Sequence, residues 1–300
     1  MNGHASAVPW HAEGVEENPA RVLEPSPRTS SDDMSARRGR RGPVLLADEV
    51  DVLGLPIHSI TPDQLIKFLV LRATTGLGGY VSTVNLDGLR SATRSREFRS
   101  QLLAADVRVA DGKPLLWASR LQGTPLPARV AGSDLINTLS RAIADMGQTV
   151  FLVGGNPGTA QRAADILCER SPHLKVSGIY CPPMGYEKDA LEVAALRAAL
   201  TKAKPHFVYI GLPFRNATAL SVDLRRLLPE AWSLGLGVSF SFVAGEIARA
   251  PAWMQEVGLE WLHRLVQEPQ RLSRRYLVDG LPFLTRLLLS SIAARRRSAA

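Results

Sequence analysis

An α/β fold, a parallel sheet flanked by helices, is predicted by three features of this 300-residue sequence. Short runs rich in β-branched residues alternate with helical stretches of ten or more residues, the pattern of a parallel sheet covered on both faces. Glycine- or turn-rich junctions follow several of those runs, as in Gly154-Gly155-Asn156-Pro157-Gly158. A composition of 45% hydrophobic and 21% charged residues can fill a sizeable core, and it excludes a collagen-like repeat, a wholly disordered chain and a disulfide-stapled miniprotein.

The elements follow in order. Residues 1–45 are rich in Pro, Ser, Gly and Arg without apolar periodicity and read as a disordered arm. Its Arg37-Arg38-Gly39-Arg40-Arg41 cluster reads as solvated, with contact to phosphates as the lesser alternative. Residues 46–250 form the α/β domain. A short strand is expected over 51–55. Thr61 then sits where a helix cap belongs, with Pro62 at the first helical position, and the helix runs to about Arg72. Strands over 80–84 and 107–110 bracket helices from about Asp87 and over 95–104. Asp111-Gly112 breaks the second of these strands. Further on, helices are expected over 133–146, 159–169, 189–202 and 216–228. The strands between and after them cover 149–153, 174–180, 206–211 and 234–238. Together these make a Rossmann-like order.

Residues 251–300 change character and read as a helical appendage. Leu259, Leu262, Leu265, Val266, Leu272 and Tyr276 recur at helical spacing, interrupted by Pro269. Arg264, Arg271 and Arg275 share one stripe if the helix is continuous, with Arg274 beside it.

The net charge of +8 is uneven. Residues 260–300 carry eight arginines against three acids, whereas the first 45 residues balance. A basic surplus at one end points to an anionic partner, an acidic lipid surface or nucleic acid. The arginines lack the interleaved aromatic platform of a nucleic-acid binder, so nucleic acid is not expected. No uncharged run approaches the roughly 18 residues of a spanning helix, and the first residues lack the basic-then-apolar form of a secretory signal. Cys168 and Cys181 do not form a CxxC pair, and the expected compartment is a reducing cytoplasm.

Open parallel sheets bind ligands beyond the carboxyl ends of their strands. Three segments are placed there: Thr83-Val84-Asn85, Asp111-Gly112, and the Gly154-Gly155-Asn156 turn ahead of a helix N-terminus. Each has a plain alternative. Asp-Gly is a common turn pair, Thr83 and Asn85 can satisfy loop backbone, and the glycine turn matches neither GxGxxG nor Walker A. Arg129 is either a solvated loop arginine or a phosphate ligand. The six histidines have no zinc-site spacing, and no Gly-x-Ser-x-Gly elbow is present.

Taken together, these residues resemble the WecG/TagA/CpsF family of bacterial glycosyltransferases. The resemblance runs from about Asp51 to Tyr276. It is carried by Thr83-Val84-Asn85, Ala110-Asp111-Gly112, Trp117-Ala118-Ser119-Arg120-Leu121 and Arg129-Val130-Ala131-Gly132-Ser133-Asp134. Further matches are Ala244-Gly245-Glu246, Arg249-Ala250-Pro251, Gly258-Leu259-Glu260-Trp261, Arg264-Leu265 and Glu268-Pro269. The resemblance implies inverting transfer of a hexose-type sugar from a UDP-sugar to an undecaprenyl-diphosphate-linked saccharide, with no metal and no cofactor. The sugar would be N-acetylmannosamine-like or a uronic acid, and the product a cell-surface polysaccharide or teichoic acid. It further implies Asp111 as general base, Thr83 and Asn85 in a substrate pocket, and Arg129 against the leaving diphosphate. The C-terminal segment would dock on the inner face of the membrane and bring Arg264, Arg271 and Arg274 to the site. Self-association into a homo-oligomer is left open, since nothing fixes a symmetry.

Two positions depart from the family pattern. A Gln common in members is missing from Phe214-Arg215-Asn216-Ala217-Thr218, and Ser241 replaces the Asp of a Phe-Asp-Phe stretch. These motivate a competing expectation, a catalytically weakened nucleotide-sugar-binding protein of the same fold.

Overall fold

A computed structural model describes residues 48–298; the arm expected over 1–45 lies outside them. Six strands form one sheet: β3 (Gly79–Val84), β4 (Val107–Ala110), β5 (Thr149–Gly154), β6 (Lys175–Tyr180), β7 (Phe207–Gly211) and β8 (Trp232–Gly235). They pair in the order β4-β3-β8-β7-β5-β6, and every pairing is parallel. The expected α/β class with a parallel sheet is the observed one.

Strand alternation explains the layering. Successive side chains of a strand point to opposite faces. Val81, Val107, Val109, Val150, Leu152, Tyr209 and Leu234 join the core beneath helices Pro62–Thr74, Gly132–Asp145 and Thr159–Arg170. Their neighbours Phe151, Val153, Val208 and Ile210 fill the opposite core, against helices Ala190–Ala203 and Phe214–Leu227. Thr61 caps its helix as expected, and Gln64 completes a reciprocal capping box.

Three elements differ from expectation. The single strand over 51–55 is a hairpin, β1 (Glu49–Val52) with β2 (Leu55–His58). Its two-residue turn places Leu53 and Gly54 at φ 54° and 77°, the left-handed geometry that suits the twist of paired strands. A leucine in that position gives no turn signal. The last strand is Trp232–Gly235, because β8 must keep register with β7, where Gly235 already faces Ile210. The apolar residues beyond it lead into a short helix, Ser239–Val243. Helix Lys113–Gln122 was not expected; it begins at Gly112, whose φ of 114° only glycine adopts freely.

At the C-terminal end, helix Glu260–Gln267 stops at Glu268, and Pro269 opens the next helix. The arginine stripe expected through Arg264, Arg271 and Arg275 is therefore broken between its first two members. From Pro269 the chain stays helical through a π-helical stretch, Arg274–Gly280, into Leu281–Ser298. Among the described residues, the helix Pro269–Arg297 is by length and composition long and apolar enough to cross a membrane. This corrects the expectation that no such stretch exists: counting uncharged runs stops at Asp279 and Arg286, which only punctuate an otherwise apolar sequence. One face of the helix packs on the domain. Phe283 and Leu287 are buried in a third core cluster with Leu115, Leu116 and Ala118 of helix Lys113–Gln122 and with the hairpin residues Val52 and Leu55. Asp279 pairs with Arg90 at 2.9 Å, and Arg275 with Asp87 at 3.2 Å. The other face exposes Leu277, Val278, Leu281, Leu289 and Ile292.

Parallel pairing puts every strand's carboxyl end on one edge. Asn85, Asp111, Gly154, Gly211 and Gly235 consequently line the same rim. Asp111 and Gly154 stand four strands apart along it, about 19 Å at roughly 4.8 Å per strand.

Candidate active site

Two backbone hydrogen bonds assemble the centre of the site. The Asp111 N–H donates to the Val84 carbonyl at 2.8 Å, and the Val130 N–H donates to the Ala110 carbonyl at 2.8 Å. The first places Asp111 beside Asn85, and the second places Arg129 beside Asp111. Three segments that are far apart in the sequence thus meet at the end of β4.

Asp111 is partly buried, and its carboxyl is pushed up to about 7. Desolvation is the leading cause, since burial disfavours the charged form. Arg129 opposes it, Glu260 and Asp134 add to the rise, and Arg264 lowers it slightly. A carboxyl with its pKa at about 7 can both accept and release a proton around neutral pH.

Arg129 is mostly buried and gripped from two sides. Its Nη1 donates to Glu260 Oε2 at 2.7 Å, and its Nη2 donates to Asp134 Oδ2 at 2.8 Å. Arg249 donates to the other oxygen of Asp134, and its Nε lies 3.9 Å from Glu260 Oε1. Paired carboxylates hold the Arg129 guanidinium firmly protonated, although desolvation works against it. The C-terminal segment delivers Glu260. Gly258, at φ +83°, packs so closely on helix Lys113–Gln122 that a Cβ there would lie 2.9 Å from both Lys113 Cγ and Trp117 Cζ2.

The other expected residues have more varied surroundings. Thr83 is buried and donates its hydroxyl to the Gly235 carbonyl at 3.0 Å, tying β3 to β8. Asn85 caps helix Leu86–Arg94, with Oδ1 accepting from the Gly88 N–H at 2.9 Å. Gly154 and Gly155 have φ of 94° and 83°, and a Cβ on Gly154 would meet Leu212 Cδ2 at 2.8 Å. Asn156 is exposed beside them. At the helix that follows, Thr159 donates its hydroxyl to Glu246 at 2.6 Å, and Arg162 pairs with the same carboxylate. The glycine turn therefore stands on the same rim as Asp111, four strands away from it.

Arg264 and Arg271 converge on Glu268, at 3.1 and 2.6 Å, despite the helix break between them. Arg264 also lies over the Phe242 ring, 5.8 Å from its centroid. Arg274 is exposed. Of the three, only Arg264 acts electrostatically on Asp111. Ser241 is buried, and its carbonyl accepts from the Glu246 N–H at 2.9 Å. Sequence reasoning assigned no role to Asp134, Arg249 or Glu260. Separations of 115 residues from Asp134 to Arg249 and 131 from Arg129 to Glu260 leave no spacing signal that could pair them.

Asp111, with its raised carboxyl, and the clamped Arg129 thus stand together on the carboxyl rim of a parallel sheet, the edge where such sheets bind their ligands. The chain belongs to the WecG/TagA/CpsF family of glycosyl transferases, whose family model matches residues 50–297. It is 29% identical over 198 residues to an N-acetylglucosaminyldiphosphoundecaprenol N-acetyl-beta-D-mannosaminyltransferase of Bacillus subtilis, covering 66% of this chain and 75% of that one. It is 30% identical over 225 residues to a protein of the same description from Bacillus spizizenii, covering 73% and 85%.

Proposed function

We propose that this glycosyltransferase moves an N-acetylmannosamine-type sugar from a UDP-sugar to an undecaprenyl-diphosphate-linked saccharide, with inversion and without a metal, in cell-surface polysaccharide or teichoic acid synthesis. The observation that carries the reading is the juxtaposition of Asp111 and Arg129 at the end of β4, set by the two backbone hydrogen bonds there. The acceptor hydroxyl is a poor nucleophile, and the Asp111 carboxylate takes its proton as the oxygen attacks the anomeric carbon. The bond from that carbon to the UDP oxygen breaks on the opposite face, which inverts the centre. Negative charge grows on the departing diphosphate, and Arg129 faces it with the N–H groups that Glu260 and Asp134 leave unused. Arg264 adds positive charge nearby. The Gly154-Gly155-Asn156 turn is assigned to the nucleotide end of the donor, with Thr83 and Asn85 shaping the wall between. The activity for which the two Bacillus relatives are named supports the choice of sugar and acceptor.

The test is transfer from UDP-N-acetylmannosamine to an N-acetylglucosaminyl-diphospho-lipid analogue, read by product mass, with a panel of other UDP-sugars alongside. The expected outcome is one added N-acetylhexosamine at a rate unchanged by excess EDTA. UDP binding without transfer to any acceptor would replace this reading with that of a binding protein. A rate abolished by EDTA and restored by a divalent cation would remove the metal-free step.

The acceptor's lipid cannot leave the bilayer cheaply, so the enzyme works at the inner surface of the membrane. The helix Pro269–Arg297 is assigned there as an interfacial element. One of its faces is already committed to the domain, while Leu277, Val278, Leu281, Leu289 and Ile292 are exposed and arginines follow at its end. Leu281→Glu with Leu289→Glu is expected to abolish flotation with phosphatidylglycerol vesicles while transfer to a detergent-soluble acceptor persists. Undiminished flotation would remove this helix as the docking element.

A further inference from the structure

Arg129 is useful to a leaving diphosphate only if its guanidinium is already turned towards the reacting centre. Left alone, an arginine side chain samples many rotamers, and ordering it during the reaction adds to the barrier. Here the ordering is done in advance within a cluster of four side chains, Arg129 and three others. Arg129 bridges Glu260 and Asp134, and Arg249 bridges the same two carboxylates from the far side. Each acid lies in the first turn of its helix, Asp134 in Gly132–Asp145 and Glu260 in Glu260–Gln267, where the helix dipole favours negative charge. Of the four, Glu260 alone comes from the segment beyond Pro251. Its approach depends on the close packing of Gly258 against Lys113 and Trp117, immediately after Asp111-Gly112.

We propose that Glu260 is a positioning residue for sugar transfer: through Arg129 it sets the side chain that meets the leaving diphosphate, so the C-terminal segment supplies a carboxylate to the site as well as arginines. The proposal rests on the assignment of Asp111 and Arg129 made above. Glu260 makes no bond to substrate in this scheme. Its effect passes through the Nη1 contact and through its charge. The charged groups acting on Asp111 are Arg129, Glu260, Asp134 and Arg264, and Glu260 is one of the two that raise its carboxyl.

The experiment compares full-length wild type with Glu260→Gln, Glu260→Asp, Arg129→Ala, the Arg129→Ala/Glu260→Gln double variant and Asp111→Asn. It measures transfer between UDP-N-acetylmannosamine and the lipid-diphosphate acceptor analogue from pH 5 to 9. Glu260→Gln is expected to lower kcat about ten- to a hundredfold, the scale of a lost hydrogen bond to a charged group, with a smaller change in donor KM. It is also expected to move the acid limb to lower pH, because a charge that raises Asp111 is gone. The limb reports the lost charge, while the kcat-against-KM split and the double variant report the positioning through Arg129. Glu260→Asp keeps the charge on a shorter arm, so it should hold the wild-type limb with a reduced kcat. It serves as the readout if Glu260→Gln does not fold. On the Arg129→Ala background, Glu260→Gln should cost nothing more. Wild-type or raised kcat in both Glu260 variants overturns the proposal, the latter because it would make Glu260 a competitor of the diphosphate. Additive losses in the double variant overturn it too. If these failures occur while Asp111→Asn is inactive, the positioning role alone falls. If Asp111→Asn transfers normally, the site assignment falls with it.

Discussion

Asp111→Asn is expected to slow sugar transfer by about 10²–10⁴-fold, the contribution of a positioned general base, while the protein stays folded. The amide has the same shape, and the bond from the Asp111 N–H to the Val84 carbonyl is made by backbone. Two pH experiments separate this result from simple damage. Because the carboxyl is raised to about 7, the wild-type kcat/KM should climb with pH up to about 7 and level off above it. The stability consequence has the opposite sense. A carboxyl whose folded value lies above its ordinary 3.8 contributes stability that is fully present below about 4 and is lost as pH rises through about 7. Wild type should therefore melt below Asp111→Asn at pH 8, and the gap should close as pH falls towards 4. An enzyme destabilised by the group it needs is the usual signature of a site kept for chemistry rather than for folding. Normal transfer by Asp111→Asn, or a melting gap that does not change with pH, would remove Asp111 from this role.

The parts of this architecture that depend on local sequence were legible before any coordinates. Strand β4 matched its expected bounds because four residues, Val107 to Ala110, end at an Asp-Gly break. The Thr61-Pro62 cap was legible because capping chemistry is confined to a few neighbouring residues. What failed depended on distant partners. The hairpin turn at Leu53 and Gly54 carries a residue that rarely takes positive φ, and it is held in part by Arg99 donating to the Gly54 carbonyl. Periodicity cannot register such a contact. The site divides the same way. Asp111 could be nominated from its place after a strand. Its raised carboxyl could not, because that depends on burial and on Glu260 and Asp134 outweighing, together with it, the opposing charge of Arg129. The arginine stripe failed for the converse reason. Spacing placed Arg264 and Arg271 on one helix, and the break at Glu268 removed that helix; the shared Glu268 carboxylate then brought the two side chains together by another route.

Arg129→Ala is expected to cost about 10²–10³-fold in kcat, the scale of one lost oxyanion donor, and its pH dependence carries two separable contributions. Arg129 is the strongest of the groups holding the Asp111 carboxyl down. Its removal should let that carboxyl rise further and move the acid limb to higher pH, opposite in sign to the shift expected for Glu260→Gln. At pH 7 the loss therefore combines a missing partner for the diphosphate with a base that is more protonated. At pH 9 the second contribution disappears, and what remains measures the leaving group alone. Arg129→Lys refines the comparison. A lysine keeps the positive charge beside Asp111 but cannot span Glu260 and Asp134 with a planar fork, so the acid limb should stay near its wild-type position while kcat still falls. The decisive measurement is kcat for all three proteins at pH 9 with UDP-N-acetylmannosamine saturating. If Arg129→Ala regains the wild-type rate there, Arg129 acts only on the base. If a deficit of at least tenfold persists, the guanidinium stabilises the charge that develops as the sugar–phosphate bond opens.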